Sequence, residues 1–517
     1  MNILLINLQN SGARLGYAGL FFPFGMAYIS AVLKANGFSV DCLDLHTEEI
    51  LRRNSLDSWK EVNKFNLSRY DVVAFGGTFL KYKELKNLSE KIYKVNKNIF
   101  QIAGGNMATI ISEIILKQTY VMCVCLYEGE ETIIELLNAL KFGKDWRGTR
   151  SIRYLNKNNE IVQTEMRDKI KCLDSIPFPD RESWSFSIIR KAFPYGSPTR
   201  YSAVMFASRG CPFSCIFCNP ISGKIVRTRS SEHIVREIKY LKEKWNVQYV
   251  RFFDEVFIGS KKKIKDLCEL MIKEKINIFW WCQTQIKLID EELLKLMKKA
   301  GCIEIGYGIE SGSNTILAEM NKGITKELAK EVIEMTDRIG IKPSLNLIAG
   351  TPAETPQTLR ETKEFLISLN HIKWSQVPTI DFIIPIPNTK LYAMARHRGF
   401  IKDETKYLTE EMFMMDKYSR TINLTQMSDQ DFFGIVAECN RKIRRDFFKK
   451  HPLKKMLSLF GLDHLRLDLI MRHFTFRQII PFAEALLYVV IGKRKNCFGQ
   501  WVLDWIYKRE YVHRSRA

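Results

Sequence analysis

Three cysteines at C-x-x-x-C-x-x-C spacing constrain this chain more than any other stretch. They lie in Arg209-Gly210-Cys211-Pro212-Phe213-Ser214-Cys215-Ile216-Phe217-Cys218-Asn219. The apolar run Ala203-Val204-Met205-Phe206-Ala207 precedes them, and its break before a glycine has the pattern of a buried strand emptying into a loop. Three thiolates on one short loop can converge on one inorganic centre, and soft thiolates suit zinc or iron–sulfur. A structural zinc or a ferredoxin-type cluster takes four protein ligands, and no fourth cysteine is near in the sequence. A cubane held by three thiolates leaves one iron open to a substrate or cosubstrate. The alternatives are three structural cysteines at a strand end, or a zinc site that borrows a remote histidine.

The spacing, with the aromatic Phe217 just before the third cysteine, resembles the radical S-adenosylmethionine (SAM) superfamily. That resemblance implies that Cys211, Cys215 and Cys218 form the catalytic metal site and hold a [4Fe-4S] cluster. The open iron would chelate SAM, and reductive cleavage would give a 5′-deoxyadenosyl radical.

The rest of the chain agrees with an enzyme of several domains. At 517 residues it has room for about three. The twelve cysteines show no paired framework, which points to a reduced, cytoplasmic setting. The start, Met1-Asn2-Ile3-Leu4-Leu5-Ile6-Asn7, lacks a basic region and reads as a first strand, not a signal peptide. Net charge is +22, and residues 441–517 hold 18 Lys/Arg against 6 Asp/Glu, or +12 of it. Such a segment suits an anionic partner: a membrane surface, an acidic substrate or a reductase, with nucleic acid less favoured.

Residues 1–142 alternate short apolar runs with helix-length segments, which predicts a Rossmann-like, doubly wound parallel sheet. Ligands of such folds sit beyond the carboxyl ends of the strands. Gly76-Gly77-Thr78, Gly104-Gly105-Asn106 and Glu128-Gly129-Glu130 fall at those ends. No G-x-G-x-x-G or P-loop pattern occurs. Placed before a radical SAM core, the segment resembles the cobalamin-binding domain of the cobalamin-dependent radical SAM class, whose corrin Gly77, Thr78, Gly104, Gly105, Asn106, Glu128, Gly129 and Glu130 would then contact. Asp44-Leu45-His46-Thr47-Glu48-Glu49 matches only the start of a His-on cobalamin loop, so His46 reads as a surface loop residue. A flavodoxin-like domain kept for packing is the alternative.

Residues 143–198 read as a hairpin around Lys157-Asn158-Asn159-Glu160 and a Pro-punctuated linker, Leu173 to Asp180, like those that join the two domains in that class. Residues 199–395 repeat strand and helix as a partial (β/α)6 TIM-type barrel would. Carboxylates at strand ends face the catalytic mouth of a barrel. The resemblance carries Asp254 and Glu255 to the SAM amino group, and Glu310 and Ser311 to its ribose and carboxylate. It also covers Gly350-Thr351-Pro352-Ala353-Glu354-Thr355 and Pro385-Ile386-Pro387-Asn388-Thr389, where Asn388 replaces the usual glycine. Gln285 stands where the class usually has arginine. Residues 396–517 read as a basic, mainly helical domain. Within it Gln478–Gly492 is apolar and flanked by basic residues, too short to span a bilayer and suited to a core or interfacial helix.

The resemblance implies three cofactors: the cluster, SAM and cobalamin. It implies a flavodoxin or ferredoxin reductase and a small-molecule substrate, and the basic, apolar C-terminal segment suits a lipid or hydrophobic one. The activity expected is methylation of an unactivated carbon through methylcobalamin. An oxidative cyclase or ring-rearrangement enzyme without methyl transfer is the alternative, and a non-catalytic, membrane-associated cofactor-binding protein is the second.

Overall fold

Five apolar runs near the N-terminus are strands of one sheet: β1 (Asn2–Asn7), β2 (Ser39–Asp44), β3 (Val72–Gly76), β4 (Phe100–Gly104) and β5 (Cys123–Cys125). The computed structural model describes residues 1–8, 21–51, 56–77, 82–190, 201–372, 377–412, 415, 421–452 and 454–455. The five strands pair in parallel in the order β2-β1-β3-β4-β5. β3 is apolar and buried throughout, as a parallel strand covered on both faces must be. Along β1 the alternation decides the layers. Ile3 and Leu5 pack with Ala27, Leu33 and Leu136 of the helices Phe24–Ala35 and Glu130–Lys141. Leu4 and Ile6 pack on the other side, with Leu85 and Leu88 of the helix Tyr82–Val95.

The hairpin read as a connector is β6 (Ile152–Leu155) and β7 (Ile161–Gln163). It joins the edge of this sheet antiparallel to β5. The first sheet is therefore seven-stranded and mixed, because β5 would otherwise leave its backbone groups open at the edge.

The second sheet starts with β8 (Ser202–Met205). A two-stranded ribbon of β9 (Ser208–Arg209) and β10 (Arg227–Thr228) follows, then β11 (Tyr249–Phe252), β12 (Phe279–Thr284), β13 (Cys302–Glu310), β14 (Lys342–Ala349) and β15 (Asp381–Phe382). Strands β8, β11, β12, β13, β14 and β15 lie side by side in chain order, all parallel, forming a partial barrel. Trp280 and Cys282 join the core cluster that includes the covering helices, while Trp281 between them belongs to a separate small cluster with Tyr249 and Ile303. A Cβ at Gly306 would press on the Trp281 ring at 2.9 Å, so glycine there lets the indole lie across β13. The helix Asp429–Lys450 closes the far edge: Asn440 exchanges two 2.9 Å hydrogen bonds with the backbone of Ile380, just before β15. Gln478–Gly492, Cys497 and most of the basic segment lie outside the described residues. Among the described residues no helix is long and apolar enough to cross a membrane.

The two sheets are joined through the proline-rich segment. Trp184 is fully buried and donates to Ser30 Oγ at 2.9 Å, while Lys34 pairs with Asp180 at 2.8 Å. Deeper in, Glu237 lies between two guanidinium groups, Arg181 at 2.8 Å and Arg229 at 2.6 Å, and all three are almost fully buried. The Arg181 guanidinium also stacks over the rings of Phe22 and Phe186, 4.9 and 4.8 Å from their centroids. Burial pushes the Glu237 carboxyl up, but the two arginines outweigh it and hold its pKa below the ordinary value.

Removing one member of a buried ion cluster strands the others, at a cost of about 3–5 kcal/mol. Glu237→Ala is expected to destabilise the chain by that order in urea unfolding. Lys34→Ala removes a half-exposed partner and is expected to cost less than about 1 kcal/mol.

Candidate functional site

The cysteine loop springs from the β9–β10 ribbon, whose pairing of Arg209 with Arg227 and Ser208 with Thr228 closes its base. Gly210 opens it at φ +101°, and a Cβ there would run into the Ile225 carbonyl. Cys211 N donates to Gly223 O at 3.0 Å, and Cys218 N to Cys215 O at 3.2 Å. The outer part of the loop is held by elements far along the chain. Ile216 N donates to Met320 O (3.2 Å), Leu391 N to Ile216 O (3.0 Å) and Asn321 Nδ2 to Ser214 O (3.1 Å). Cys211 and Cys215 are half-buried and Cys218 is exposed. Burial raises all three thiols; Cys218 rises to about 11, with the neighbouring Cys211 and Cys215 adding to the effect.

The carboxylates after β11 face the feet of this loop. Asp254 is buried, and its Oδ1 accepts from Ala207 N (2.9 Å), Ser208 Oγ (2.8 Å) and Ser208 N. Its Oδ2 is buried with no hydrogen-bond partner among the described residues. Burial outweighs those donors and raises the Asp254 carboxyl to about 7. Glu255 accepts from Gly210 N (3.0 Å) and Ser222 N (3.3 Å), one on each arm of the loop, and burial raises its pKa too. Both side chains thus brace the cysteine loop.

At the end of β13, Glu310 adopts φ +74°, where a side chain is strained. It is buried and accepts from Lys322 Nζ at 2.8 Å. Ser311 is buried and bonds Thr362 Oγ1 at 3.0 Å. Lys322 belongs to none of the patterns found in the sequence. Its ammonium stands 5.8 Å from the Phe217 ring centroid. In the turn after β14, Gly350 has φ +114° and Glu354 accepts from Thr358 Oγ1 at 2.5 Å; burial raises Glu354 to about 7. Asn388 takes φ +64°, the left-handed angle that the glycine-to-asparagine exchange requires.

A cleft of about 310 Å³ lies between the two sheets. From the first sheet Gly77, Gly104, Gly105, Asn106, Glu128, Gly129 and Glu130 line it; Thr78 lies outside the described residues. Gly77 and Gly105 take φ +152° and +96°, and a Cβ at Gly105 would stand 3.2 Å from Gly77 O. The β9–β10 ribbon, the cysteine loop and the loop after β11 supply Ser208, Arg209, Ile221, Ser222 and Glu255, which sequence reading did not connect with this cleft. Arg209 bonds Glu130 at 2.6 Å and stands 3.4 Å from Glu128, which also accepts from both terminal nitrogens of Arg227. Burial raises the Glu128 carboxyl, but Arg227 and Arg209 outweigh it and leave its pKa below the ordinary value. These partners stand 79 and 99 residues from the glutamates, beyond any local pattern.

His46 is not a surface loop residue. It sits fully buried in the short helix Leu45–Leu51, its ring 6.4 Å from that of Phe21. Asp44 before it accepts from Asn7 Nδ2 at 2.8 Å and Thr47 Oγ1 at 2.6 Å, so the stretch folds inward as a cap to the helix. Among the described residues no histidine lines the cleft.

Two family models match the chain: the radical SAM superfamily over residues 205–366 and the B12 binding domain over residues 13–137. The chain is 26% identical over 450 residues to an uncharacterized methyltransferase of Pyrococcus horikoshii, covering 85% of this chain and 93% of that protein. It is 29% identical to the anaerobic magnesium-protoporphyrin IX monomethyl ester cyclase of Rubrivivax gelatinosus, covering 70% of this chain and 65% of the cyclase. In fold it resembles the radical SAM methyltransferase TsrM of Kitasatospora setae, a structure with cobalamin and a [4Fe-4S] cluster bound. The TM-score is 0.67 at 16% identity, over 86% of this chain and 91% of that one.

The residues present fit these groups. Three free thiols on one loop, Cys211, Cys215 and Cys218, offer the soft ligands that an iron–sulfur cluster takes. The cleft offers glycine backbone and an apolar wall of Leu5, Ala74, Ile102 and Ile133 to a flat macrocycle, with its glutamates already neutralised.

Asp254 carries a pH signature. Its folded value, about 7, lies above the ordinary carboxylate value, so between pH 4 and 7 the folded state holds the extra proton. Stability then falls as pH rises through that window, by about 1.4 kcal/mol per pH unit for one full proton. Asp254→Asn is expected to flatten this slope in anaerobic urea unfolding of the metal-free chain at pH 4.5 to 7.5.

Proposed function

Because the chain is a cobalamin-dependent radical SAM enzyme, we propose that it methylates an unactivated carbon of a small-molecule substrate. One observation carries the reading: a single cleft whose walls come from both sheets, the cobalamin side facing Ser208, Arg209 and Glu255 at the root of the cysteine loop. A substrate held there would lie between the walls that would carry the two cofactors. Methyl transfer is favoured over cyclisation because the similarity runs through 93% of the Pyrococcus methyltransferase but 65% of the cyclase.

When bound, the cluster and SAM supply hydrogen-atom abstraction, and cobalamin supplies the methyl group. Cys211, Cys215 and Cys218 would hold the cluster, with Phe217 packed behind the loop. Glu255 ties both loop arms, and Asp254 fixes the strand end from which the loop starts. Holding reacting groups in register this way lowers the entropic part of a barrier. Glu310 and Ser311 would orient the ribose and carboxylate of SAM. Gly77, Gly104, Gly105 and Gly129 would let the corrin approach the backbone closely, and Asn106 lines the same cleft. Glu128 and Glu130 line the same cleft, and their ion pairs to Arg209 and Arg227 hold the two cofactor walls together. The net charge of +22 suits docking of an acidic flavodoxin or ferredoxin as electron donor.

Anaerobic reconstitution with iron, sulfide and hydroxocobalamin is expected to load about four irons and about one cobalt per chain. Cys211→Ala is expected to lose the iron and keep the cobalt. Incubated with SAM carrying a deuterated methyl group and a metabolite extract, the wild type is expected to place the labelled methyl on a product carbon. 5′-Deoxyadenosine together with a product that has lost hydrogen and gained no label would replace methylation by the cyclase reading.

A further inference from the structure

We propose that Lys322 is a positioning residue for the cluster, its buried ammonium stabilising the reduced state of the iron–sulfur centre at Cys215 and Cys218. The placement is built. Lys322 is only 7% exposed, and the turn that carries it is stapled to the cysteine loop at two points, Met320 O to Ile216 N and Asn321 Nδ2 to Ser214 O. Asn321 and Gly323 on either side take φ +53° and +67°, so the backbone is bent to deliver this one side chain. Gly308 leaves the space: a Cβ there would stand 2.6 Å from Glu310 Oε1 and 3.1 Å from Lys322 Nζ.

A buried lysine costs free energy unless its charge is compensated. Glu310 compensates it at 2.8 Å. The ammonium stands 5.8 Å from the ring centroid of Phe217, which lies between Cys215 and Cys218 in the loop. The turn that carries the lysine is bonded to Ser214 and Ile216 on either side of Cys215, so the cation lies against the part of the loop that holds the second and third cysteines.

One-electron reduction adds negative charge to a centre already surrounded by thiolates. Cluster potentials follow net charge, hydrogen bonding and exposure. A cation shielded from water acts more strongly than one at the surface, because Coulomb energy rises as the local dielectric falls. The inference requires the cluster but not methyl transfer, because a potential can be read without SAM or substrate.

The test is a dithionite titration of anaerobically reconstituted full-length protein, following the reduced-cluster signal by electron paramagnetic resonance. The electron comes from dithionite, and no bond is made or broken. Lys322→Met is expected to lower the reduced-to-oxidised ratio at a fixed potential about tenfold, a shift of about 59 mV for one electron. Lys322→Arg is expected to recover most of it. An unchanged midpoint in the Met variant, or a shift that arginine does not reverse, overturns the proposal. If the Met variant binds no iron, Glu310→Gln decides: removing the anion must move the midpoint to more positive potential, and an unmoved or more negative midpoint overturns the proposal equally.

Discussion

The ion cluster of Glu128 and Glu130 with Arg209 and Arg227 is the contact on which the arrangement of this enzyme depends. Its two carboxylates follow β5 of the first sheet, Glu128 in the turn and Glu130 at the start of the next helix, and its two guanidinium groups stand on paired strands at the base of the cysteine loop. The first sheet's side of the cleft and the cysteine loop are thus fastened to each other directly. Arg227 also donates to Ile170 O, and Ile170 N donates to Glu128, so the segment leaving the hairpin is drawn into the same knot. Such partly buried, multiply bonded pairs are stronger and more directional than exposed ones.

The Arg181–Glu237–Arg229 triad plays a second, deeper part at the same junction. Arg229 follows β10 directly, and it also donates to the backbone of Phe206 at the end of β8's run. One anion on a barrel helix therefore positions both the interdomain segment and the start of the cluster loop. The cost of burying these charges is offset in part by ring stacking on Phe22 and Phe186 and by the carbonyls of Val204 and Phe206, while Arg181 Nε and Nη1 are buried with no hydrogen-bond partner among the described residues.

Charge is handled differently at the barrel mouth. Asp254 and Glu354 are buried with no ion pair among the described residues, and burial raises both to about 7. Glu310, by contrast, is paired with Lys322 and sits at a strained backbone angle. Strain at a strand end persists only where its surroundings over-determine it. Here the β-bulge of β13 and the small Gly308 do so.

Much of this was legible in the sequence. The cysteine spacing and the strand-end carboxylates Asp254, Glu255 and Glu310 stood out because chemistry of that kind needs short, local patterns. The doubly wound sheet and partial barrel followed from the period of apolar runs, since parallel strands buried on both faces leave continuous hydrophobic stretches. His46 was misread because a polar motif beside a strand resembles a loop, and only packing shows that it turns inward. The hairpin's place on the first sheet was hidden for a similar reason: a β-hairpin looks the same whether its edge is free or paired. Local residue order determined which elements form and which side chains can bear chemistry. Tertiary structure alone decided which of them meet, placing Arg209 on Glu130 and the Met320–Asn321 turn on the cysteine loop, because long-range charge pairing and burial depend on positions that no local spacing records.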